Sequence, residues 1–315
     1  MSIENSENIL RQPIIHSSKE QASGVTVCIE LFCADQNNNL VKCSSGSGFF
    51  HNRKEELYFI TNWHVITGRN PSEPSKLINN HPDSPVAFQL HLPLKEDRNH
   101  YVPSEIMPLY AGSEALWLET ESPNLNEKVD LAAIKLGGKD TFKQYFITPI
   151  EEFSPSGSDY LHVGRDTVIV GYPFGISELN PYPIWKRGYV ASEPSLLIGG
   201  MPKYYIDCPG RPGMSGSPVF MITEGIKLPS DIANILNGAS GESALESIGK
   251  IDPEVLKNVP KSQILHFAGV YSGSVGDSNL DRLQVGVTWH AAIVDRLFTH
   301  GVIGNNPYLP AAIEC

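Results

Sequence analysis

Ser215 lies in the segment "PGRPGMSGSPVF", residues 209–220, with one glycine two positions before it and another directly after it. A serine hydroxyl is a poor nucleophile until a neighbouring base takes its proton, and that base needs an acid to orient it. Taken alone, the segment is better interpreted as a glycine-lined turn, because such tripeptides are common. Ser215 is therefore a candidate nucleophile only if the sequence also supplies a suitable histidine and carboxylate.

His64 and Asp130 are the best candidates for these two partners. His64 stands where an apolar strand breaks, between "ELYFITNW" and "VITG", and Asp130 opens the apolar run "DLAAIKL". A carboxylate drawn partly out of water must find a donor, and the ring N–H of a histidine suits it. If Asp130 only caps a strand, Asp140 or Glu127 is the fallback acid. The alternative interpretation of His64 is a core histidine that is bonded to a backbone carbonyl.

The glycines around Ser215 have a second use. They permit backbone conformations that other residues avoid, so the amides of Gly213 and Ser215 can converge on one point and stabilise an oxyanion. With His64 as base and Asp130 as its orienting acid, this set would carry out acyl transfer to water. Such chemistry requires no metal and no cofactor.

The elements that must position these residues are mostly strands. From Gly24 onward, short β-rich runs alternate with Gly, Pro, Asn and Ser, as in an all-β sandwich or barrel. Helical patterns occur only in residues 224–262, predicted as an insertion between two strands, and in "HAAIVDRLFTHG", residues 290–301. Gly199-Gly200 is predicted to form a tight turn.

Composition narrows the class of protein. The 315-residue chain has a net charge of −11 and a pI near 5.4, which disfavours a nucleic-acid-binding protein. No apolar run is long enough to cross a membrane, and the N-terminus does not read as a signal peptide. We therefore expect a cytoplasmic protein without a membrane partner. Its five cysteines show no paired spacing and are predicted to be reduced thiols.

Five segments resemble the chymotrypsin-like serine peptidases, in detail the bacterial Deg-type branch and its cytosolic relatives. The order His, Asp, Ser along the chain is that of this family. The matching segments are "GSGF" at 46–49, "TNWHV" at 61–65, "DLAAIK" at 130–135, "GYPFG" at 171–175 and "DCPGRPGMSGS" at 207–217. The runs "FAGVYSGS" and "LQVGVTWHAAIVDRLF" resemble the substrate-lining strand, final strand and C-terminal helix of the same family.

The resemblance implies an all-β fold of two six-stranded antiparallel Greek-key barrels, with the catalytic residues in the cleft between them. The predicted divisions are a flexible N-terminal arm (1–22), a first barrel (23–150), a second barrel (151–303) that includes the helical insertion and the C-terminal helix, and a tail (304–315). His64 and Asp130 would come from the first barrel and Ser215 from the second.

The resemblance also implies a substrate pocket. Pro209 falls six residues before the nucleophile, where trypsin itself has an acid that selects basic side chains, so no carboxylate is available there. Tyr271, Ser272, Gly273 and Ser274 would form the pocket wall and the strand that pairs with an extended substrate. We expect a small or medium apolar side chain before the scissile bond.

Three residues depart from the family pattern. Trp63 replaces a small residue beside the histidine, Met214 replaces an asparagine or aspartate, and Ser217 replaces a glycine. None of these changes removes a catalytic atom. Without an acid at 214, activation by a newly cut N-terminus that pairs with that acid is not expected.

The sequence thus predicts a serine endopeptidase that acts on protein or peptide substrates. Two alternatives remain open. In one, the protease fold is a catalytically silent binding or scaffolding module whose cleft is filled by a partner segment or closed by Trp63 and the insertion. In the other, an activating partner protein switches cleavage on.

Overall fold

The computed structural model describes residues 21–78, 83–121, 128–153, 161–175, 182–226, 261–273 and 282–309. Several predicted features lie outside these ranges: most of the N-terminal arm, most of the helical insertion, the end of the tail, Ser274 and the fallback acid Glu127. The described part is mostly β, with few helices, as the sequence predicts.

The N-terminal half is built on one nine-stranded antiparallel sheet. Its strand order is β19-β11-β12-β3-β2-β1-β6-β7, with β8 paired to β6. The strands of this sheet are β1 (Thr26–Ala34), β2 (Leu40–Arg53), β3 (Glu56–Thr61), β6 (Ala87–Pro93), β7 (Tyr101–Pro103), β8 (Met107–Pro108), β11 (Trp117–Thr120), β12 (Ala132–Gly138) and β19 (Gly301–Ile303). Two small hairpins accompany it, β4 (Arg69–Asn70) with β5 (Glu73–Leu77), and β9 (Tyr110–Ala111) with β10 (Glu114–Ala115).

The C-terminal half is a closed six-stranded barrel, in which every pair of neighbouring strands is antiparallel. The order around the barrel is β13-β14-β15-β18-β17-β16. These strands are β13 (Asp166–Gly171), β14 (Ile184–Val190), β15 (Lys203–Asp207), β16 (Pro218–Ile226), β17 (Lys261–Gly273) and β18 (Val285–His290). One of the two expected barrels is therefore closed.

Few helices interrupt the strands in the described residues. They are α1 (Gln21–Val25), α2 (Trp63–Thr67) and α3 (Ala292–Thr299), together with two 3₁₀ turns at Lys139–Phe142 and Ile150–Glu152. Helix α3 lies within the predicted range of 290–301 and buries Ile293, Val294 and Leu297 on its apolar stripe.

The two halves share a hydrophobic core. One cluster combines Phe49 and Ile60 of the N-terminal sheet with Phe220 and Phe267 of the barrel, and Leu297 of α3 packs into it. The rings of Phe49 and Phe267 meet edge to face at 5.3 Å. Each half also has a core cluster of its own. This shared core fixes the relative position of the two halves, and with it the site between them.

The end of the described chain returns to the N-terminal half. After α3, strand β19 pairs with β11, and Asn306 is buried where its amide donates to the Tyr110 hydroxyl at 3.0 Å. Residues 301–306, assigned from the sequence to the end of the second barrel and to the tail, thus pack against the first sheet. This pairing joins the two halves a second time.

The predicted insertion is shorter at both ends than its sequence range of 224–262. Residues 224–226 still pair with 261–263 as the continuation of β16 and β17. The hairpin register therefore continues past the predicted boundaries, as far as the pair Ile226 and Lys261. The helical segments proposed inside the insertion fall outside the described residues.

The prediction that all cysteines are reduced is wrong for Cys33 and Cys43. They form a disulfide across the β1–β2 hairpin, with their Cα atoms 5.8 Å apart, a typical separation for such a bond. Cys28 and Cys208, the other cysteines among the described residues, are buried and take no part in this disulfide. Sequence spacing did not reveal the pair because it depends on how β1 pairs with β2, where a bulge between Leu31 and Phe32 leaves Cys43 out of the regular register.

Candidate active site

His64 is held by a short helix that starts where strand β3 ends. All five residues of α2 are buried, and His64 itself is only 4% exposed. Gly68 ends the helix in the left-handed conformation (φ 68°) and donates its N–H to the His64 carbonyl at 2.9 Å. The break in the apolar strand noted in the sequence is thus a strand-to-helix junction that fixes the histidine backbone.

Asp130 binds His64 at two points. One carboxylate oxygen, Oδ2, lies 2.7 Å from His64 Nδ1, and the other, Oδ1, accepts the His64 backbone N–H at 2.9 Å. The Asn62 side chain also donates to the Asp130 carbonyl at 2.7 Å. A carboxylate at Nδ1 selects the tautomer with its proton on that nitrogen, which leaves Nε2 to accept one. Asp130 and His64 thus form the pair expected from the sequence.

The ionisation of Asp130 follows from its surroundings. Burial alone would raise its pKa, because the carboxyl is 1% exposed. The charge of His64, the hydrogen bonds from His64 and the hydroxyl of Ser272 outweigh burial and hold the pKa of Asp130 below its ordinary value. The carboxyl therefore stays ionised at neutral pH, as an orienting acid must.

Of the two fallback acids, only Asp140 lies within the described residues. Asp140 is exposed in the 3₁₀ turn Lys139–Phe142, and Glu127 lies outside the described residues. An exposed carboxylate gains no specific partner from burial, so Asp130 is the acid that the described structure offers to His64.

Ser215 is held at the junction of the two halves of the molecule. Its carbonyl accepts the N–H of Ser47 from β2 at 2.8 Å, while the next residue, Gly216, donates its N–H to Tyr271 of β17 at 2.8 Å. Gly216 has a φ of +86°, and a side chain there would collide with the Ser47 carbonyl. The glycine after Ser215 is thus required by the close approach of the N-terminal sheet.

Ser272 links the nucleophile candidate to the acid. Its hydroxyl donates to Asp130 Oδ2, and its carbonyl accepts the hydroxyl of Ser215 at 3.5 Å. Among the described residues, the Ser215 hydroxyl makes a hydrogen bond to the Ser272 carbonyl and makes none to His64. Hydrogen bonds of this kind are often long or unformed before substrate binds. The direct link between Ser215 and His64 stays a prediction.

The amides proposed for an oxyanion site lie in a tight turn. Arg211 to Met214 form a β-turn closed by a 3.1 Å hydrogen bond, with Pro212 second and Gly213 third at φ +89°, the features of a type II turn. The Pro212 carbonyl accepts the N–H of Phe174 at 2.7 Å. The peptide bond between Pro212 and Gly213 is trans. The Gly213 N–H therefore points in the direction opposite to the Pro212 carbonyl, away from Phe174.

Both predicted amides are available for a ligand. Within the described residues, neither the Gly213 N–H nor the Ser215 N–H has a hydrogen-bond acceptor. A side chain at Gly213 would come within 2.3 Å of the Tyr172 carbonyl, so this turn also requires glycine. Unpaired N–H groups held in place by surrounding backbone are suited to stabilising a negative charge.

Three of the predicted pocket residues, at the end of β17, adjoin the nucleophile loop, and a fourth, Pro209, belongs to that loop. Tyr271 is buried at the end of β17, Ser272 is 5% exposed, and a side chain at Gly273 would lie 3.9 Å from Ser215 Oγ. Pro209 is half-buried, and its carbonyl accepts a hydrogen bond from Lys186. The structure thus places Tyr271, Ser272 and Gly273 against residues 215–217; the fifth pocket residue, Ser274, falls outside the described ranges.

The Trp63 side chain is packed in the interior and is bound to β11. Its side chain is fully buried, and its indole N–H donates to Glu119 on β11 at 3.1 Å. Glu119 also accepts the Trp117 indole N–H at 3.3 Å and pairs with Lys128. Sequence reasoning missed Glu119, and the only signal was an acid in the apolar run "ALWLET". Trp63 therefore anchors α2 in the protein interior.

The described residues contain no group of three or more His, Cys, Asp or Glu side chains that could hold a metal ion. Nor do they include a helix long and apolar enough to cross a membrane.

A family model for the trypsin-like peptidase domain matches residues 46–225, which is more than half of the chain. The matched range begins in the "GSGF" segment and includes His64, Asp130 and Ser215. No curated protein matches the chain.

Proposed function

The chain belongs to the trypsin-like peptidase family, and from this premise we propose that it is a serine endopeptidase that hydrolyses peptide bonds through an acyl-enzyme. One observation carries the proposal. The buried carboxylate of Asp130 holds both the backbone and the ring of His64, and Ser272 joins that carboxylate to the loop of Ser215.

In the proposed reaction, Ser215 Oγ attacks the carbonyl carbon of the scissile peptide while His64 Nε2 takes the hydroxyl proton. The carbonyl oxygen becomes an oxyanion, which accepts hydrogen bonds from the N–H groups of Gly213 and Ser215. His64 then gives its proton to the leaving amine, the C–N bond breaks, and an ester to Ser215 remains. Water attacks this ester with His64 again as base, which releases the acid and regenerates the serine.

Asp130 supplies orientation and charge in this scheme. It keeps the Nδ1 proton in place and stabilises the imidazolium that forms when His64 takes the proton. Its lowered pKa keeps it ionised throughout. Ser272 donates to Oδ2, the same carboxylate oxygen that faces His64 Nδ1, and so helps to hold the carboxylate in place. We further propose that the N-terminal sheet is the first barrel of the family fold and that the Deg-type branch is the nearest one.

A second candidate function is a silent binding module, and one contact favours it. The Ser215 hydroxyl bonds the Ser272 carbonyl and not His64, so the relay is incomplete in this state. A third reading, an enzyme switched on by a partner protein, starts from the same contact, because a partner or substrate could turn the hydroxyl toward the imidazole.

The test is the release of new peptide termini from a denatured protein substrate, read by mass spectrometry. Wild-type protein is compared with Ser215→Ala and with the control Ser217→Ala, whose buried hydroxyl has no hydrogen-bond partner among the described residues. The proposal expects new termini with wild type and control only. Cleavage that appears only after cell extract is added supports activation by a partner. No cleavage by wild type in either condition, with peptide binding retained, supports the silent module.

The predicted cytoplasmic location remains a proposal, and the Cys33–Cys43 disulfide weighs against it. Structural disulfides persist mainly in oxidising compartments. Thiol labelling of the protein immediately after cell lysis decides the point. Labelling of Cys33 and Cys43 fits a reducing cytoplasm, and their protection fits an oxidising compartment.

A further inference from the structure

Tyr271 occupies the space beside the nucleophile loop in which a substrate side chain would be expected. Its backbone is fixed next to Ser215, because its N–H donates to the Ser217 carbonyl at 2.9 Å and its carbonyl accepts the Gly216 N–H at 2.8 Å. Its side chain is 1% exposed. The phenol is therefore part of the interior wall and not of the solvent-exposed surface.

Two glycines make room for the phenol ring. A Cβ added at Gly286 of β18 would lie 2.3 Å from the ring carbon Cε2, and one added at Gly210 of the nucleophile loop would lie 2.9 Å from the hydroxyl oxygen. The hydroxyl donates to the Cys208 carbonyl at 3.3 Å. The ring thus fills the gap between β18 and the nucleophile loop, and a hydrogen bond holds it there.

The proposed reaction directs a substrate side chain toward the same gap. In that reaction, an extended substrate pairs with the backbone of Ser272 and Gly273, and its reacting carbonyl points to the amides of Gly213 and Ser215. The side chain of the residue before the scissile bond then faces the wall formed by residues 209–211 and the end of β17. Tyr271 already occupies that wall.

We propose that Tyr271 is a specificity-determining residue that restricts the position before the scissile bond to glycine, alanine or serine. The inference rests on the proposed peptidase function and narrows its substrate class. A cavity of about 170 Å³ lies next to Gly210 and is lined by Pro209, Gly210, Arg211, Gln284 and Val285. Since Gly210 borders both the cavity and the phenol, removal of the ring would extend this space toward Ser215.

The test uses peptide substrates that differ only in the residue before the scissile bond: Gly, Ala, Val, Leu or Phe. Wild type is expected to favour Ala over Leu and Phe by about 100-fold in kcat/KM, in the range that a size-selective apolar pocket achieves. Tyr271→Ala should lower this ratio at least tenfold, whereas Tyr271→Phe, which keeps the ring, should retain the ratio.

A second measurement does not depend on the folding of Tyr271→Ala. Peptidyl boronic acids with alanine or phenylalanine at the same position are titrated against wild type, and the alanine compound should bind much more tightly. Equal binding, or a wild-type preference for Phe, overturns the inference about Tyr271 while leaving a peptidase. If wild type reacts neither with the boronic acids nor with a fluorophosphonate, the proposed function itself fails.

Discussion

The two ends of the proposed relay differ in how firmly the fold holds them. At the acid–base end, Asp130 is buried, and both of its carboxylate oxygens bind His64 at 2.7 and 2.9 Å. At the nucleophile end, the half-buried Ser215 hydroxyl has one long hydrogen bond of 3.5 Å, to Ser272. The fold therefore pre-organises the base and leaves the nucleophile free to turn.

This difference has an energetic reason. A buried carboxylate without partners would be costly, so the fold must satisfy it even in the absence of substrate. A hydroxyl at the edge of a cleft can exchange partners at little cost. We therefore expect the alignment of Ser215 to accompany substrate binding, whereas the orientation of His64 is set by the fold.

The largest expected loss of activity comes from a substitution in the acid–base pair of Asp130 and His64. Asp130→Asn removes the charge that stabilises the imidazolium and favours the wrong tautomer, so kcat should fall about 10⁴-fold. Steady-state kinetics with a peptide substrate measure this. The matched control is Asp140→Asn, which changes an exposed acid in a 3₁₀ turn. Equal losses in the two variants would contradict the assignment of Asp130.

The next effect comes from the oxyanion turn at the nucleophile end. Gly213→Ala forces a side chain against the Tyr172 carbonyl at a φ of +89°, so the amide should lose its position. We expect kcat to fall about 10²–10³-fold with a smaller change in KM. Gly199→Ala is the control, because Gly199 has a positive φ of +61° but open space around it. Unaltered kcat in Gly213→Ala would remove this turn from the mechanism.

Ser272 joins the two ends, because it contacts both Asp130 and Ser215. Ser272→Ala removes a hydrogen bond to ionised Asp130, so kcat should fall about 10–100-fold, which corresponds to about 1.5–3 kcal/mol. The variant should also raise the pKa of Asp130, which the pH dependence of stability reports. Thr167→Val, which removes a buried hydroxyl without a partner in the described structure, should leave kcat unchanged.

The same pKa shift predicts how stability depends on pH. The pKa of Asp130 is lowered on folding, so its contribution to the free energy of unfolding is present above the unfolded value of about 3.9 and is lost as the pH falls through the folded value. Ser272→Ala should reduce this contribution, and denaturant unfolding between pH 3 and 7 measures it. If the free energy of unfolding fell more steeply at acid pH in the variant than in wild type, the prediction would be wrong.

The smallest effect on activity is expected at Trp63. Trp63→Phe removes the indole N–H bound to Glu119, which should lower the free energy of unfolding by about 1.5–3 kcal/mol with little change in kcat. Trp289→Phe is the matched control, because its buried N–H has no hydrogen-bond partner among the described residues. A rise in kcat for Trp63→Phe would show that the indole obstructs the imidazole after all.

Local sequence patterns predicted the candidate site better than they predicted its surroundings. Asp130 before an apolar strand and His64 at a strand break were recognisable because each depends on its immediate neighbours. The bond from Ser272 to Asp130 joins residues 142 positions apart, and that from Trp63 to Glu119 joins residues 56 apart. Such contacts depend on how the strands pair, which no local pattern specifies.

The errors have the same origin. The Cys33–Cys43 disulfide depends on the register of a bulged hairpin, and the return of residues 301–303 to β11 depends on where α3 packs. The apolar stripe of α3 predicted a helix but not its partner. Strand and helix propensities thus indicated the elements, while tertiary packing decided which of them meet.

The most direct test of the relay is the site of reaction with a fluorophosphonate, mapped by peptide mass spectrometry on the full chain with a substrate peptide present or absent. The account predicts a single adduct, on Ser215, that is lost in His64→Ala and strongly reduced in Asp130→Asn. An adduct on another serine, or labelling of Ser215 that is undiminished without the imidazole, would contradict it.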